Sequence, residues 1–258
     1  MESFRRFTNR ADTRDRFAKA VIRFIAVTAA MFVSTLSASA CSLDERIVFI
    51  SCRTVETVEL VALDQNQLVP ESSDSQLTIT GTYSSGDRFG IEGLAIVDGT
   101  VVSSRFQGWD GLFVITPDGK GSIHNVERVR LGKPQFNLRN PDERAAFLSY
   151  ARENDLSVIQ SHLLVSDGNV DVSDRPGQPR FRRRILFQTN AGDFGLFDSG
   201  ESLTLFQAAV ILHDDFDADM AFNLDMGAYD YCMRGTQSCG WLGRQDTGIL
   251  TNVLIFTY

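Results

Sequence analysis

The sequence predicts an α+β fold, a mostly antiparallel sheet built of hairpins with a few packed helices. Short apolar runs typical of strands recur along most of the chain, and several are followed by turn residues that favour hairpins. Two segments carry clear helix signals. Hairpins with a few helices between them are typical of α+β proteins rather than of doubly wound parallel sheets.

The first predicted strands lie at 47–50 and 55–63. In the second of these, apolar residues alternate with more polar ones, which indicates a strand that buries one face. Two apolar runs near the end of the chain, at 220–224 and 253–256, predict two more strands.

Four hairpins are predicted from turn residues between apolar runs. Asp98-Gly99 separates the runs 94–97 and 100–102, and the Asp-Gly pair readily takes the positive φ angles of a tight turn. The other three turns are predicted at Pro117-Asp118-Gly119, Asp167-Gly168 and Asn190-Ala191-Gly192.

The first predicted helix begins after Asn140 and runs to about Asn154. Asn140 is a suitable N-cap, and Pro141 fits the first helical position. Asp142 and Glu143 then place negative charge in the first turn, where the helix dipole favours it.

A second helix is predicted to begin at Ser202, which can serve as its N-cap. The apolar face of this helix consists of five residues: Leu203, Phe206, Ala209, Val210 and Leu212. Such a face packs against a sheet or another helix.

The first forty residues have the composition of an export signal. Seven basic residues precede an apolar run at 24–36, and Ala38-Ser39-Ala40 matches the small-residue pattern that signal peptidase cleaves. The run is shorter than the roughly 20 residues of a spanning helix, which favours cleavage over a membrane anchor. We therefore expect residues 1–40 to be a signal peptide. Residues 41–258 are then one domain, periplasmic or secreted, with no stable membrane span.

An alternative is that Cys41 is the lipidated cysteine of a lipoprotein. A small residue before Cys41 fits this interpretation, but Ala38 stands where such sites more often have leucine. Simple secretion is therefore favoured.

The charge of the predicted mature chain argues against nucleic acid as a partner. Residues 1–40 hold seven of the 25 basic residues and three of the 33 acidic ones, which leaves a net charge of about −12 for the rest. Binding to phosphate backbones depends on clustered Lys and Arg with a positive field.

All four cysteines, Cys41, Cys52, Cys232 and Cys239, lie in the predicted mature chain. An even count in an exported protein favours disulfides over metal ligands. Three pairings are possible, and the two local ones, Cys41–Cys52 and Cys232–Cys239, are preferred.

Several common chemistries lack their sequence signatures. The three histidines, His124, His162 and His213, are not at metal-ligand spacing, so no metal site is expected. The chain contains no G-x-S-x-G elbow, G-x-G-x-x-G fingerprint or P-loop. The sequence therefore gives no support for a dinucleotide enzyme, a nucleotide triphosphatase or an ordinary serine hydrolase. No cofactor is identified.

One segment is more suggestive, because the apolar run 220–224 leads directly into Asp225. Reactive groups are commonly held where a rigid strand ends. An aspartate in such a position is also a common turn former, so this pattern alone leaves both interpretations open.

Six motifs follow one another between about residue 58 and residue 258: the strand end 79–83, the hairpin 93–99, the segment 160–168, the strand at Arg183, the helix 202–212 and the turn 223–227. Their order resembles the phosphodiester glycosidase family. The turn is similar to an Asn-Leu-Asp-Gly-Gly motif of the family.

The chain departs from the family at the centres of these motifs. The four departures are Thr80 for asparagine, Ser161-His162 for Gly-Pro, Arg184 for threonine and Met226 for glycine. Methionine cannot replace glycine where positive φ or close approach of a ligand is needed. The pocket is then either reshaped for another substrate or has lost its catalysis.

The resemblance implies an exported hydrolase that cleaves a sugar from a sugar-1-phosphodiester or a related envelope glycan. Arg183 would hold the anion, and Asp225 would act in acid–base catalysis or charge stabilisation. Glu92 and Asp110 are candidates for a second carboxylate. The remaining substrate-binding candidates are Thr80, Ser161, His162 and Gly227. The alternative is a non-catalytic periplasmic protein that binds glycans or assembles with partners on the same fold.

Overall fold

The computed structural model describes residues 47–50, 55–64, 68–85, 90–226, 229–241 and 248–258. All of them belong to one unit, Leu43–Tyr258. Within these ranges the elements are β1 (Ile47–Ile50), β2 (Thr57–Ala62), β3 (Gln76–Thr80), β4 (Leu94–Val97), β5 (Thr100–Ser104), β6 (Gly111–Ile115), β7 (Gly121–Asn125), β8 (Val129–Arg130), β9 (Gln135–Phe136), α1 (Pro141–Glu153), β10 (Ser157–Ser161), β11 (Leu163–Ser166), β12 (Asn169–Val170), β13 (Arg184–Thr189), β14 (Phe194–Asp198), α2 (Leu205–Phe216), β15 (Ala218–Leu224), β16 (Cys232–Arg234), β17 (Gln237–Ser238) and β18 (Asn252–Thr257).

Three antiparallel sheets contain most of these strands. The first sheet has the order β1-β14-β13-β15-β11-β12, the second β5-β4-β10-β6-β7 and the third β17-β16-β3-β18-β2. β8 and β9 form a separate two-stranded ribbon. The predicted α+β fold of hairpins and a few helices is confirmed.

The three sheets share one hydrophobic core. Phe222 of the first sheet, Phe113 of the second and Leu254 of the third all belong to it. The outer face of the first sheet is covered by α2, and that of the second by α1. Both faces of the central strands are therefore buried, and β6 and β10 are buried at every position.

The four predicted hairpins are confirmed. Asp98 and Gly99 have φ angles of 46° and 72°, so both residues of the β4–β5 turn are left-handed, as an Asp-Gly turn allows. The β6–β7, β11–β12 and β13–β14 hairpins form at the other three predicted turns.

The first helix is confirmed with its predicted ends. The Asn140 side chain accepts a hydrogen bond from the Asp142 N–H at 2.9 Å, and Asn154 is the C-cap.

The start predicted for the second helix was wrong. Thr204, and not Ser202, is the N-cap, and it forms a capping box with Gln207. The reason is that Leu203 pairs with Phe181 in an isolated antiparallel bridge. The chain is extended at Leu203, so the helix begins two residues later than the cap chemistry of Ser202 alone suggested.

The predicted disulfide Cys232–Cys239 is confirmed, with Cα atoms 5.0 Å apart. Cys41, Cys52 and the predicted signal peptide lie outside the described residues. In the part of the chain that the structure describes, none of the helices has the length and apolar character needed to cross a membrane.

Candidate active site

Strand ends from the three sheets meet at one place. The N–H of Asp225, just after β15, donates to the carbonyl of Gly81, just after β3, at 2.8 Å. The N–H of Asn223 donates to the carbonyl of His162, where the chain passes from β10 to β11, at 2.9 Å. Residues at these ends are therefore held by all three sheets.

Asp225 is buried at this junction, with 5% of its surface exposed. Its carboxylate accepts hydrogen bonds from the Ser84 N–H at 3.1 Å and the Met226 N–H at 2.8 Å. Burial raises the pKa of Asp225 to about 6, because the two N–H groups offset the loss of solvent only in part. A carboxyl group with this pKa exchanges protons readily near neutral pH, which suits acid–base catalysis.

Arg183 brings a positive charge to the same region. Its guanidinium donates to the carbonyl of Leu203 at 3.2 Å and that of Pro179 at 3.4 Å. No carboxylate among the described residues forms a salt bridge with it. Burial lowers the pKa of Arg183, but arginine stays charged in proteins. A mostly buried cation bonded only to neutral carbonyls is suited to bind an anion.

Three rings form an aromatic cluster beside these two groups, consisting of Tyr83, Trp109 and His162. Ring centroids lie 5.0 Å apart for Tyr83 and Trp109, and 5.4 Å apart for Trp109 and His162. Burial lowers the pKa of His162, the charge of Arg183 lowers it further, and Asp110 opposes both. All three rings are partly exposed. Such a surface can contact a flat ligand such as a sugar ring.

Gln160 fixes the position of Trp109. Its buried side chain donates to the carbonyls of Gln107 and Trp109 and accepts from the N–H groups of Leu94 and Gln107. Gly93 lies under the ring with φ at 82°, and a Cβ there would be 2.9 Å from the Trp109 ring. Both residues hold the aromatic cluster in place.

Comparison with solved structures shows that the fold of this chain resembles a known one. Over 78% of this chain, the catalytic domain of zebrafish N-acetylglucosamine-1-phosphodiester alpha-N-acetylglucosaminidase, auto-inhibited by its pro-peptide, matches with a TM-score of 0.54 and 15% identity. The match covers 73% of that chain. The two proteins share a fold.

Two further structures resemble the chain less well. A hypothetical protein from Synechocystis matches with a TM-score of 0.49 at 12% identity, over 78% of this chain and 57% of its own. A protein of Burkholderia pseudomallei K96243 matches with a TM-score of 0.45 at 11% identity, over 78% of this chain and 71% of its own. No family of known proteins matches the sequence, and no curated protein does.

The two candidates for a second carboxylate both adjoin the aromatic cluster. The Asp110 carboxylate accepts from the Leu163 N–H at 2.8 Å and acts electrostatically on His162. The Glu92 backbone N–H donates to the Tyr83 carbonyl, and its carboxylate is paired with Arg105 at 2.9 Å. Of the two, only Glu92 forms a salt bridge with a described residue.

Two of the hydroxyl groups that were predicted to bind substrate donate hydrogen bonds to backbone carbonyls of the protein instead. Buried Thr80 donates to the Tyr229 carbonyl, and buried Ser161 donates to the Asn223 carbonyl at 2.5 Å. Both hold strand ends together. His162 lies in the aromatic cluster, and Gly227 lies outside the described residues.

Arg184 has a different role from its neighbour. Its fully buried guanidinium binds both oxygens of Asp198, at 2.9 and 2.7 Å, one oxygen of Asp230 at 2.8 Å and the Tyr231 carbonyl at 2.9 Å. This buried ion cluster joins β13 and β14 to the segment that follows the Asp225 turn.

Sequence reasoning missed Tyr83, Trp109 and Asn223 as site residues. Trp109 precedes Asp110 in the chain, and Asn223 stands in the motif that led to Asp225. Their nearness in sequence to predicted site residues was the only indication of a role in the site. Their roles depend on contacts between sheets, which no local pattern shows.

Cavities elsewhere do not coincide with this site. One of about 240 Å³ is lined by Ser122, His124 and Arg128, and Gln188 near the far end of β13 also borders it. The strand ends described above offer the more specific chemistry, since they combine a carboxyl group of raised pKa with a cation that has no salt bridge among the described residues. No group of three or more His, Cys, Asp or Glu side chains suited to a metal ion occurs in the described ranges.

Proposed function

We propose that this protein is an exported hydrolase that releases a sugar from a sugar-1-phosphodiester or a related envelope glycan. The observation that carries the proposal is that two buried groups of opposite charge, Asp225 and Arg183, lie near one aromatic residue. The charges of both residues act on the hydroxyl group of Tyr83.

Arg183 would bind the phosphodiester. The single negative charge of a phosphodiester matches one guanidinium, and charge-assisted hydrogen bonds are roughly twice as strong as neutral ones. The sugar ring would lie against the aromatic cluster, where Trp109 and His162 are partly exposed.

Asp225 would act at the anomeric carbon. Hydrolysis breaks the bond between this carbon and the phosphate oxygen, while the oxygen of water bonds to the carbon. Ionised Asp225 either takes the proton of the attacking water or stabilises the positive charge that develops on the sugar. The products are a free sugar and a phosphomonoester, which is a good leaving group and needs little acid assistance.

A second carboxylate, if the reaction uses one, is better supplied by Asp110 than by Glu92. Asp110 lies next to His162 in the aromatic cluster. The Glu92 carboxylate already binds the side chains of Arg105 and Gln107, each at 2.9 Å.

Export is proposed from residues 1–40. The basic start, the apolar run and the small residues before Cys41 fit a signal peptide. The Cys232–Cys239 disulfide is compatible with a periplasmic or secreted protein, because disulfides persist in oxidising compartments.

A substrate panel tests the proposal. Purified 41–258 is incubated with methyl phosphodiesters of N-acetylglucosamine, glucose, galactose and mannose 1-phosphate, with divalent ions and with chelator. We expect release of free sugar from at least one of them. If none is cleaved by folded protein, the non-catalytic glycan-binding alternative replaces the hydrolase.

A further inference from the structure

The side-chain amide of Asn223 has a fixed orientation. Its NH2 group donates to the Leu224 carbonyl at 3.0 Å and to the hydroxyl oxygen of Tyr83. Turning the amide over would place its oxygen against the Leu224 carbonyl, and two acceptors would then face each other. Asn223 is therefore the donor and Tyr83 the acceptor.

This orientation leaves the Tyr83 proton available. A hydroxyl group has one proton to donate, and the bond from Asn223 does not use it. Burial raises the pKa of Tyr83 to about 12, so the proton stays on the phenol across the physiological range. None of the described residues accepts it. Among the described residues the Tyr83 proton therefore has no acceptor, and it can be donated to solvent or to a ligand.

The side-chain oxygen of Asn223 does not accept this proton. It is buried and, within the described part of the chain, has no hydrogen-bond partner. Because this oxygen has almost no accessible surface, a ligand does not reach it in this arrangement, and the group of this pair that can bind a ligand is the Tyr83 hydroxyl.

The charge of Arg183 selects the kind of acceptor. Arg183 acts electrostatically on the Tyr83 hydroxyl and has no carboxylate partner among the described residues. An oxygen that carries negative charge is therefore favoured over a neutral one. A sugar-1-phosphodiester offers such an oxygen.

We infer that Tyr83 is a substrate-binding residue that donates its phenolic proton to a phosphodiester oxygen also held by Arg183. The inference rests on the proposed function, since it names a ligand for the same site. It assigns Tyr83 to binding and not to proton transfer, because a phenol with so high a pKa is a weak acid.

The Tyr83→Phe variant tests the inference, because it removes the hydroxyl and keeps the ring beside Trp109. Binding of two probes to 41–258 is measured by isothermal titration calorimetry. One probe is the methyl ester of the C-glycosidic phosphonate of N-acetylglucosamine, which is anionic and cannot be cleaved. The other is neutral methyl N-acetylglucosaminide. We expect Tyr83→Phe to weaken phosphonate binding about tenfold to a hundredfold, as for loss of a charge-assisted hydrogen bond.

The neutral probe and a matched variant serve as controls. Binding of methyl N-acetylglucosaminide to Tyr83→Phe should change less than about twofold, and Tyr150→Phe, which removes a phenol from α1, should bind both probes as the wild type does. Equal binding of phosphonate by wild type and Tyr83→Phe overturns the inference, as does equal weakening of both probes or no phosphonate binding by wild type. Loss of phosphonate binding without any sugar release from the substrate panel would overturn the hydrolase and leave the role of Tyr83 intact.

Discussion

At the scale of single residues, the two buried aspartates Asp225 and Asp198 show how a partner decides the chemistry of a carboxyl group. Asp198 is bound on both oxygens by the Arg184 guanidinium, whereas Asp225 receives only two backbone N–H groups. Asp225 keeps no cation of its own at bonding distance among the described residues. Its carboxyl group is therefore free to change protonation state during a reaction.

The raised pKa of Asp225 predicts a dependence of stability on pH. The pKa is about 6 in the folded state and 3.8 in the reference state, so the folded state holds the proton more tightly between these values. The contribution of Asp225 to the free energy of unfolding is fully present below about pH 4. It is lost as the pH rises through 6, which lowers the free energy of unfolding by about 3 kcal/mol at most. The Asp225→Asn variant lacks this pH-dependent contribution, because its amide does not titrate.

Urea unfolding of wild type and Asp225→Asn at pH 4 to 7 measures the effect. The free energy of unfolding of the wild type, minus that of the variant, should fall by about 2–3 kcal/mol over this range. A difference that does not change with pH would mean that the Asp225 carboxyl group titrates normally.

At the scale of elements, the buried ion cluster around Arg184 joins β13, β14 and the segment after the Asp225 turn. We expect Arg184→Met to lower the free energy of unfolding by about 3–5 kcal/mol, because Asp198 would remain buried without the cation that binds both of its oxygens. Chemical denaturation measures the change.

The neighbouring Arg182 provides the control for this prediction. Its guanidinium lies 3.6 Å from the centroid of the exposed Trp241 ring, so Arg182→Met should cost only about 0.5–1 kcal/mol. Similar decreases in the free energy of unfolding of the two variants would show that the buried ion cluster stabilises the protein no more than the exposed contact of Arg182 does.

The start of α2 gives a second prediction at this scale. Thr204→Ala removes the hydroxyl that accepts from the Gln207 N–H, and should destabilise the protein by about 1 kcal/mol. Ser202→Ala should change the stability by less than about 0.5 kcal/mol, since Ser202 is exposed and outside the helix. Thermal unfolding compares the two, and a larger effect at Ser202 would contradict the observed cap.

Local elements could be predicted from the sequence where a few adjacent residues determine them. The Asp98-Gly99 turn and the Asn140 cap are examples, because the backbone angles and the capping bond depend only on neighbours in the chain. The start of α2 could not be predicted in this way, since the pairing of Leu203 with distant Phe181 overrides the capping chemistry of Ser202.

The candidate site was predictable only in part for the same reason. Asp225 and Arg183 stand at the ends of recognisable strands, and the family resemblance indicated both. The proton of Tyr83 and the orphaned oxygen of Asn223 follow from a contact between residues 140 positions apart. No pattern of spacing or composition contains that information.

At the scale of the whole molecule, the three sheets enclose one core and place their strand ends together. This arrangement could not be read from periodicity, because central strands such as β10 are buried on both faces and lose the alternation of apolar and polar residues. The pairing of strands within the sheets also joins distant parts of the chain, as in β1 with β14 and β3 with β18. The site exists only when all three sheets are assembled.

The most direct test of a catalytic centre at Asp225 is the rate of sugar release by Asp225→Asn relative to wild type. The substrate is the phosphodiester that the wild type cleaves best, and Asp118→Asn, in the exposed β6–β7 turn, is the matched control. We expect Asp118→Asn to cleave at the wild-type rate and Asp225→Asn, folded by near-ultraviolet circular dichroism, to lose at least about a hundredfold in kcat. A folded Asp225→Asn variant that releases sugar at the wild-type rate would contradict the account.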